Sequence, residues 1–472
     1  NQSRTPRPFA RLTNPLPQLV PQRFVRVKQI VDGLAWERSE DLEVFGGRAT
    51  ATQVPYAKGV RQPMRRVRPG DTFGKPWGSW GQRWMRVRVP APRPGERGRR
   101  HLRWECPGEA TVWIDGKPWA GLDPGHGTCP LPDRAATLMI DSSLWQSMGG
   151  DWSIGRFGLR FVGASLRVRN EAAWEAKWDL AVLESYMNFL MGDLGSAYSF
   201  GFRKTLESAP PRFRRLLRLL DLACDAWDAG GLPALAPALK RVYREFPAES
   251  YQPGGALVGH AHLDQVWLWP ESASEHKAVH TAANQLRLME RYPEYVFSQS
   301  QASQYRMVER LAPSQAREIR ARIRSGQWEA TGVFEVESDT NLPCGESLAR
   351  QTRVGQGKFA ELLGGKLSRV CWIPDVFGYS GCLPQILALG GARYFFTTKM
   401  TWSQITKFPY SSFVWRGLDG TEIVTHLCST TYNGDVSIQN NVTALNEHRQ
   451  SDVHPEMLLP TGWGDGGGGV TE

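Results

Sequence analysis

The chain has 472 residues, a length that allows two or three globular domains. Hydrophobic residues make up 41% of it and charged residues 22%, and this composition excludes a disordered or fibrous protein. The formal net charge of +10 comes from arginines scattered along the chain rather than from a compact basic block, so no nucleic-acid partner is predicted. No apolar run reaches the roughly 18 residues of a membrane span, and the seven cysteines lack a CxxC pair, which indicates reduced thiols and a cytoplasmic location.

The N-terminal region is predicted to begin with a leader and to continue as a β domain. Residues 1–60 are rich in proline and arginine and show little periodicity, which indicates an irregular leader. Between residues 61 and 171, runs such as WMRVRVPAP and HLRWECPG alternate apolar and polar residues and are separated by turns. Short strands at this spacing predict a β-sandwich-like domain, and Asp115-Gly116 predicts a tight hairpin turn within it.

A helical segment is predicted for residues 172–250. The runs EAAWEAKWDLAVLESYMNFLM and FRRLLRLLDLACDAWDA place apolar residues at positions i, i+3, i+4 and i+7, as one face of a helix requires. Gly230-Gly231 and Pro233 are predicted to break this segment.

Residues 251–472 alternate short strand-like runs with amphipathic helices. This order predicts an α/β catalytic domain around a mostly parallel sheet or barrel. In such folds the reactive groups lie at the carboxyl ends of the strands. The segments HAHLD, ESD, PDVFG and GDGGGG each follow a strand-like run, so they are the candidate site segments.

The stretch HAHLD offers three metal ligands at alternate positions. Alternate residues of a strand share a face, so His260, His262 and Asp264 are expected to point the same way. Imidazole and carboxylate together suit Zn²⁺ or a similar divalent ion. The other interpretation is a polar strand end with hydrogen-bonded histidines, and the spacing alone leaves both open.

Further carboxylates follow the other strand-like runs. Asp375 comes after RVCWIP, where it could be a ligand, a base or a nucleophile, or could cap the following helix. Glu335, Glu337 and Asp339 alternate, which suits either a hydroxyl-binding rim or a solvated edge strand. Asp465 lies in TGWGDGGGG, whose glycines would let the backbone approach a ligand closely unless the run is a flexible linker.

Together these motifs closely resemble those of the glycoside hydrolase family 38 α-mannosidases, in particular the cytosolic and bacterial branch. The resemblance is carried, in this order, by HAHLDQVWLWPES, ESDTNLPCGESLARQ, WIPDVFGYSGCLPQIL, FFTTKMTW with KFPYSSFVWRGLDGTE, and GWGDGGGG. It implies an α/β catalytic domain resembling a seven-stranded β/α barrel that binds one zinc ion, although another divalent ion such as Co²⁺ is compatible. It also implies retaining hydrolysis of terminal α-D-mannosidic linkages in oligosaccharides.

The resemblance also implies roles for individual residues. The zinc ligands would be His262, Asp264 and Asp375, and Asp375 would also be the nucleophile, whereas His260 would be structural. Asp465 would be the acid/base, although its alignment with the family loop is looser. The side chains that contact the sugar would be Trp267, Asp339, Phe377, Lys399 and Trp402.

The chain departs from the family pattern at a few positions. The family has a fourth zinc ligand, a histidine downstream of the glycine-rich loop, and no histidine follows His454 here. The chain is therefore expected to be cut before that ligand and to be inactive or to bind zinc weakly. Ser338 and Ser403 stand where the family usually has Pro and Asn, which leaves the linkage preference open.

Two other functions are compatible with the same residues. One is a zinc-dependent amidohydrolase or deacetylase that uses metal-activated water without a covalent intermediate. The other is an inactive fragment that only binds mannosides. An α-mannoside oligosaccharide is the expected partner, nucleic acid and membrane are not, and a homo-oligomer is left open.

Overall fold

The computed structural model describes residues 19–72, 81–96, 98–106, 108–143, 160–191, 210–246 and 254–472. The strands of the first half are β1 (Trp36–Asp41), β2 (Val44–Gly46), β3 (Arg65–Val67), β4 (Gln82–Val89), β5 (Arg100–Glu105), β6 (Ala110–Ile114), β7 (Lys117–Leu122), β8 (Thr128–Pro130), β9 (Ala136–Ser143) and β10 (Gly163–Arg169). Its helices are α1 (Val20–Leu34), α2 (Tyr56–Gly59), α3 (Glu171–Met191) and α4 (Pro211–Glu245).

These strands form two antiparallel sheets that share one core. A four-stranded sheet has the order β1-β10-β5-β8, and a six-stranded sheet has the order β3-β2-β4-β9-β6-β7. Their inner faces bury Met85 and Val87 of β4 against Leu102 of β5, which is the packing of a sandwich. The predicted hairpin is also present, because Asp115 and Gly116 join β6 to β7 with φ angles of 50° and 76°.

Residues 19–60 differ from the predicted irregular leader. The helix α1 buries Val20, Phe24, Val27 and Val31 against α3 and α4, and β1 and β2 each extend one of the two sheets. The high proline and arginine content masked this apolar spacing in the sequence. The helices α3 and α4 lie in the segment predicted to be helical, and the backbone leaves helical geometry within α4 at Gly230 and Gly231.

The second half alternates strands and helices as predicted. Its strands are β11 (Gly255–His260), β12 (Phe297–Gln299), β13 (Trp328–Ala330), β14 (Val370–Trp372), β15 (Tyr394–Thr397), β16 (Ser412–Arg416), β17 (Glu422–Leu427) and β18 (Met457–Thr461). Its helices are α5 (Glu271–Arg291), α6 (Ala302–Leu311), α7 (Pro313–Ser325), α8 (Gly345–Leu362), α9 (Leu383–Leu389) and α10 (Ile438–Glu447).

The strands of this half lie in two sheets rather than in one closed barrel. One sheet is parallel with the order β13-β12-β11-β18. The other has the order β14-β15-β17-β16, with β16 antiparallel at its edge. Within residues 254–472 the hydrogen-bonded ladder is interrupted between the two sheets, so the seven-stranded closure stays a prediction. None of the helices in the described ranges is long and apolar enough to cross a bilayer.

The helix α5 connects the two halves of the molecule. Its Asn284 Oδ1 accepts a hydrogen bond of 2.8 Å from the backbone N–H of Gly121 in β7. Its Lys277 Nζ lies 2.6 Å from Oε1 of Glu109, next to β6, and both side chains are buried. The sandwich is therefore fixed on a helix that begins shortly after the HAHLD segment.

Candidate functional site

Four predicted side chains converge where strands of both C-terminal sheets end. His262 and Asp264 follow β11, Asp375 follows β14, and Asp465 follows β18. Each offers one ligand atom, and these atoms all lie within 4.8 Å of one another. The cluster therefore brings together residues that are far apart in the sequence, at the edge where parallel strands place their functional groups.

His262 is the buried centre of this cluster. Its Nε2 lies 3.3 Å from Oδ1 of Asp264 and 3.6 Å from Oδ2 of Asp375, and its Nδ1 lies 3.1 Å from Oε2 of Glu337. Neither ring nitrogen makes a hydrogen bond of acceptable geometry to any described residue. Burial alone would lower the pKa of His262, but the carboxylates led by Glu337 outweigh it and raise this pKa well above its usual range.

The donor set fits a divalent metal ion. A buried imidazole nitrogen without a hydrogen bond is costly, and binding a cation would satisfy it. One imidazole and neighbouring carboxylates are ligands that zinc accepts, and a carboxylate on the far ring nitrogen is the usual support for such a histidine. The local surplus of negative charge that raises the pKa of His262 favours a bound cation for the same reason.

Asp375 is held as a carboxylate by its neighbours. Burial raises its pKa, but the imidazole of His262, followed by Lys399 and Tyr432, outweighs burial and lowers the pKa to about 2. Nζ of Lys399 lies 2.6 Å from Oδ1 of Asp375, and the lysine side chain is 2% exposed. The alternative that Asp375 caps the next helix is wrong, because Cys382 occupies the N-cap of α9.

Exposed aromatic rings surround the ammonium group of Lys399. Its Nζ lies 3.3 Å from the ring centroid of Trp402 and 4.6 Å from that of Phe377. These two rings meet edge to face and are 59% and 58% exposed. Rings that stay this exposed beside a polar cluster offer apolar faces to a ligand.

The glycine-rich loop that carries Asp465 is pinned to the HAHLD segment, so its interpretation as a flexible linker is wrong. The backbone N–H of Asp264 donates to the carbonyl of Asp465 at 2.8 Å, and that of Gly467 donates to the carbonyl of His262 at 3.2 Å. Asp465 has a φ of 56°, in the left-handed region that a non-glycine residue enters at a cost. The surrounding hydrogen bonds hold the carboxylate at the cluster.

Tyr432 is a site residue that the sequence did not reveal. Its hydroxyl donates to Oδ1 of Asp465 at 2.7 Å, and its ring meets the ring of His262 edge to face at 5.2 Å. Burial, together with Asp465 and Asp375, raises its pKa, so the phenol stays a neutral donor. The only sequence signal is its place shortly after the strand-like run EIVTHL.

The sequence indicates for Glu337 only a hydroxyl-binding rim or a solvated edge strand, yet in the structure this side chain contacts Nδ1 of His262. Its side chain is 5% exposed, and Ser300 Oγ donates to its Oε1 at 2.6 Å. Asp339, the rim residue chosen from the sequence, is exposed, and its Oδ1 accepts the backbone N–H groups of Asn341 and Leu342 to close a turn. That turn reaches the Asp375 segment, because Thr340 Oγ1 donates to the carbonyl of Gly378 at 2.9 Å.

His260 and the two neighbouring tryptophans lie in different environments. His260 is buried outside the metal-binding group, where it hydrogen-bonds the carbonyl of Tyr432 and packs against Trp372. Burial lowers its pKa to about 4, which keeps the ring neutral. Trp269 is buried, whereas Trp267 is 52% exposed on the HAHLD segment.

Two family profiles match this chain. The profile described as "Glycosyl hydrolases family 38 N-terminal domain" matches residues 255–472, which contain the whole cluster. The profile described as "Alpha-mannosidase, jelly roll domain" matches residues 40–158, which contain most of the sandwich.

Curated relatives resemble the chain over most of its length. Alpha-mannosidase 2C1 of Homo sapiens is 31% identical over 431 residues, covering 90% of this chain and 40% of the relative. Alpha-mannosidase of Saccharomyces cerevisiae is 39% identical over 432 residues, covering 85% of this chain and 38% of the relative. Alpha-mannosidase G of Dictyostelium discoideum is 28% identical, covering 89% of this chain and 38% of the relative. The chain thus spans about 40% of the length of these relatives.

Proposed function

Since the chain belongs to glycosyl hydrolase family 38, we propose that it is a zinc-dependent α-mannosidase that removes terminal α-D-mannose from oligosaccharides with retention of configuration. The observation that carries this proposal is the approach of Asp375 and Asp465, whose oxygens lie within 4.8 Å of each other beside His262 and Asp264. Retaining glycosidases hold their two carboxyl groups about 5–5.5 Å apart, whereas inverting ones leave a wider gap for water.

Zinc would be held by His262, Asp264 and Asp375. Nε2 of His262, which makes no hydrogen bond of acceptable geometry, and the two adjacent carboxylates supply the mixed nitrogen and oxygen donors that zinc accepts. When bound, zinc supplies Lewis-acid binding of the sugar hydroxyls.

The protein's own side chains supply the covalent chemistry. An oxygen of Asp375 attacks the anomeric carbon while the bond from that carbon to the glycosidic oxygen breaks, and the proton of Asp465 passes to the leaving oxygen. In the second step a water molecule gives its proton to Asp465 and attacks the anomeric carbon, and the bond to Asp375 breaks. Lys399 keeps Asp375 ionised, and the hydroxyl of Tyr432 orients Asp465.

The exposed aromatic rings suit the sugar itself. The C–H faces of a mannose ring are apolar and would stack on the exposed rings of Trp267, Phe377 or Trp402, of which the last two lie beside Lys399. Asp339 would contact sugar hydroxyls through its Oδ2, because its Oδ1 already closes a turn.

The full-length protein is expected to hydrolyse p-nitrophenyl α-D-mannoside and to lose this activity when a chelator removes its metal. Adding back Zn²⁺ should restore turnover, and Co²⁺ can be compared at the same concentration. The p-nitrophenyl α-D-glucoside serves as the substrate control. A metal-replete protein that releases no p-nitrophenol from the mannoside would contradict the proposed activity.

Glu337→Gln is expected to weaken zinc binding by roughly 10–100-fold, the usual effect of removing a carboxylate that supports a ligating histidine. The amide keeps the shape of Glu337 but lacks the negative charge that Nδ1 of His262 faces at 3.1 Å. Zinc affinity is measured by competition with a chelating dye, which requires no turnover. The matched control is Glu335→Gln, since Glu335 pairs with Arg306 on the outside, and equal zinc affinity in both variants would contradict this role of Glu337.

A further inference from the structure

The glycine-rich loop has a second side, which faces the N-terminal sandwich. The connection between β7 and β8 places Asp123 and His126 against this loop. Nδ1 of His126 lies 2.9 Å from Oδ2 of Asp123, and its Nε2 lies 3.0 Å from the carbonyl oxygen of Val470. A residue of the sandwich thus contacts the backbone of the loop five residues after Asp465.

The geometry requires both ring nitrogens of His126 to donate. A carboxylate and a carbonyl oxygen are acceptors only, so the ring is an imidazolium between Asp123 and Val470. Burial lowers the pKa of His126, but the adjacent Asp123 outweighs burial and raises it. His280 of α5 also lies 2.7 Å from Asp123, so this carboxylate joins the sandwich, α5 and the loop.

The helix α5 also holds this loop, and Gln285 Nε2 shares the carbonyl of Val470 with His126 at 3.2 Å. The backbone N–H of Gly468 donates to Thr281 Oγ1 at 2.8 Å, and Gln285 Nε2 donates to the carbonyl of Gly468 at 2.8 Å. The packing at Gly469 is close, because a Cβ there would lie 2.5 Å from Gln285 Nε2 and would displace this amide. The glycine run is therefore a packed segment that contacts both α5 and the connection between β7 and β8.

The other end of this loop, at Asp465, has a strained backbone. Asp465 has a left-handed φ, and such a conformation persists only where the surroundings determine it. Trp463 and Gly469 pair through their backbones on either side of Asp465, so a shift at residues 468–470 would move the Asp465 carboxylate.

We propose that Asp123 and His126 of the N-terminal sandwich are positioning residues, which hold the glycine-rich loop so that Asp465 presents its proton to the glycosidic oxygen. This inference rests on the proposed function, in which Asp465 is the acid/base. It makes the sandwich part of the catalytic apparatus, and it explains why a salt bridge is buried where the two halves meet.

The dependence of kcat/KM on the leaving group distinguishes misplacement of Asp465 from a general loss of protein stability. A substrate with a good leaving group, such as 2,4-dinitrophenyl α-mannoside, needs little protonation, whereas an α-linked mannobiose needs the acid. His126→Phe is expected to lower kcat/KM for the mannobiose by about 10–100-fold and that for the dinitrophenyl substrate by less than about 3-fold. His126→Gln, whose amide can donate to Val470, should recover most of the mannobiose activity.

The matched control is Glu109→Gln, which breaks the buried ion pair between Glu109 of the sandwich and Lys277 of α5 without touching the loop. It should change both kcat/KM values by the same factor. Equal losses on both substrates in His126→Phe, or no loss at all, would overturn the proposal.

A second measurement tests this inference independently of the proposed function. Hydrogen exchange followed by mass spectrometry should show faster exchange in the peptide covering residues 462–472 of His126→Phe, and unchanged exchange there in Glu109→Gln. This readout needs no turnover. Lack of mannoside hydrolysis by the wild type would reject the proposed function, whereas unchanged exchange in His126→Phe would reject the hold on the loop.

Discussion

Asp375→Ala is expected to lower kcat/KM for α-mannosides by on the order of 10⁴-fold or more, because it removes the proposed nucleophile. The same change removes one of the proposed metal ligands, so zinc content should fall too. It also leaves the ammonium group of Lys399 buried without its carboxylate, although the rings of Trp402 and Phe377 remain beside it.

Asp375→Asn provides the matched variant, since it keeps the side-chain volume and loses only the charge and the nucleophilic oxygen. Both variants should lack turnover, and circular dichroism should show that the asparagine variant is folded. A fluorinated α-mannosyl fluoride should label the wild type on Asp375, as peptide mapping would reveal. Turnover without such a label would indicate hydrolysis by metal-activated water, the chemistry of a zinc amidohydrolase.

Most elements of the fold could be predicted from local sequence patterns. The turn at Asp115-Gly116 and the break at Gly230-Gly231 depend on backbone preferences of these residues and their neighbours, so the sequence predicted them. The helix α1 was missed because its apolar positions are embedded in a region of prolines and arginines. Its stability comes from packing against α3 and α4, which are distant in sequence.

In the candidate site, too, some residues follow from their local position in the sequence and others depend on long-range contacts. His262, Asp264 and Asp375 lie just past the carboxyl ends of strands, where open α/β sheets bind their ligands, so their positions could be predicted. Tyr432 and Glu337 could not be predicted in this way, because their side chains contact segments that are distant in the sequence. The hydroxyl of Tyr432, for example, contacts Asp465, which is 33 residues away. His126 contacts Val470 across 344 residues, a pairing that no local pattern encodes.

Asp465→Asn is the second variant with a large expected effect. It should lower kcat/KM for α-linked mannobiose by roughly 10²–10⁴-fold, the usual contribution of a general acid, and that for 2,4-dinitrophenyl α-mannoside far less. Asparagine is the better replacement because it tolerates the left-handed backbone of this position and still accepts the hydrogen bond from Tyr432. Alanine would add strain to the loop and so confound chemistry with structure.

Azide and zinc content decide which role Asp465 has. If Asp465 is the acid/base, azide should restore turnover of the dinitrophenyl substrate in Asp465→Asn by attacking the glycosyl-enzyme, and the product should be α-mannosyl azide. Zinc content should then equal that of the wild type. However, an oxygen of Asp465 also lies within 4.8 Å of the ligand atoms of His262, Asp264 and Asp375. Loss of zinc together with failure of azide rescue would make Asp465 a metal ligand instead, and the proton donor would have to come from another group near the cluster.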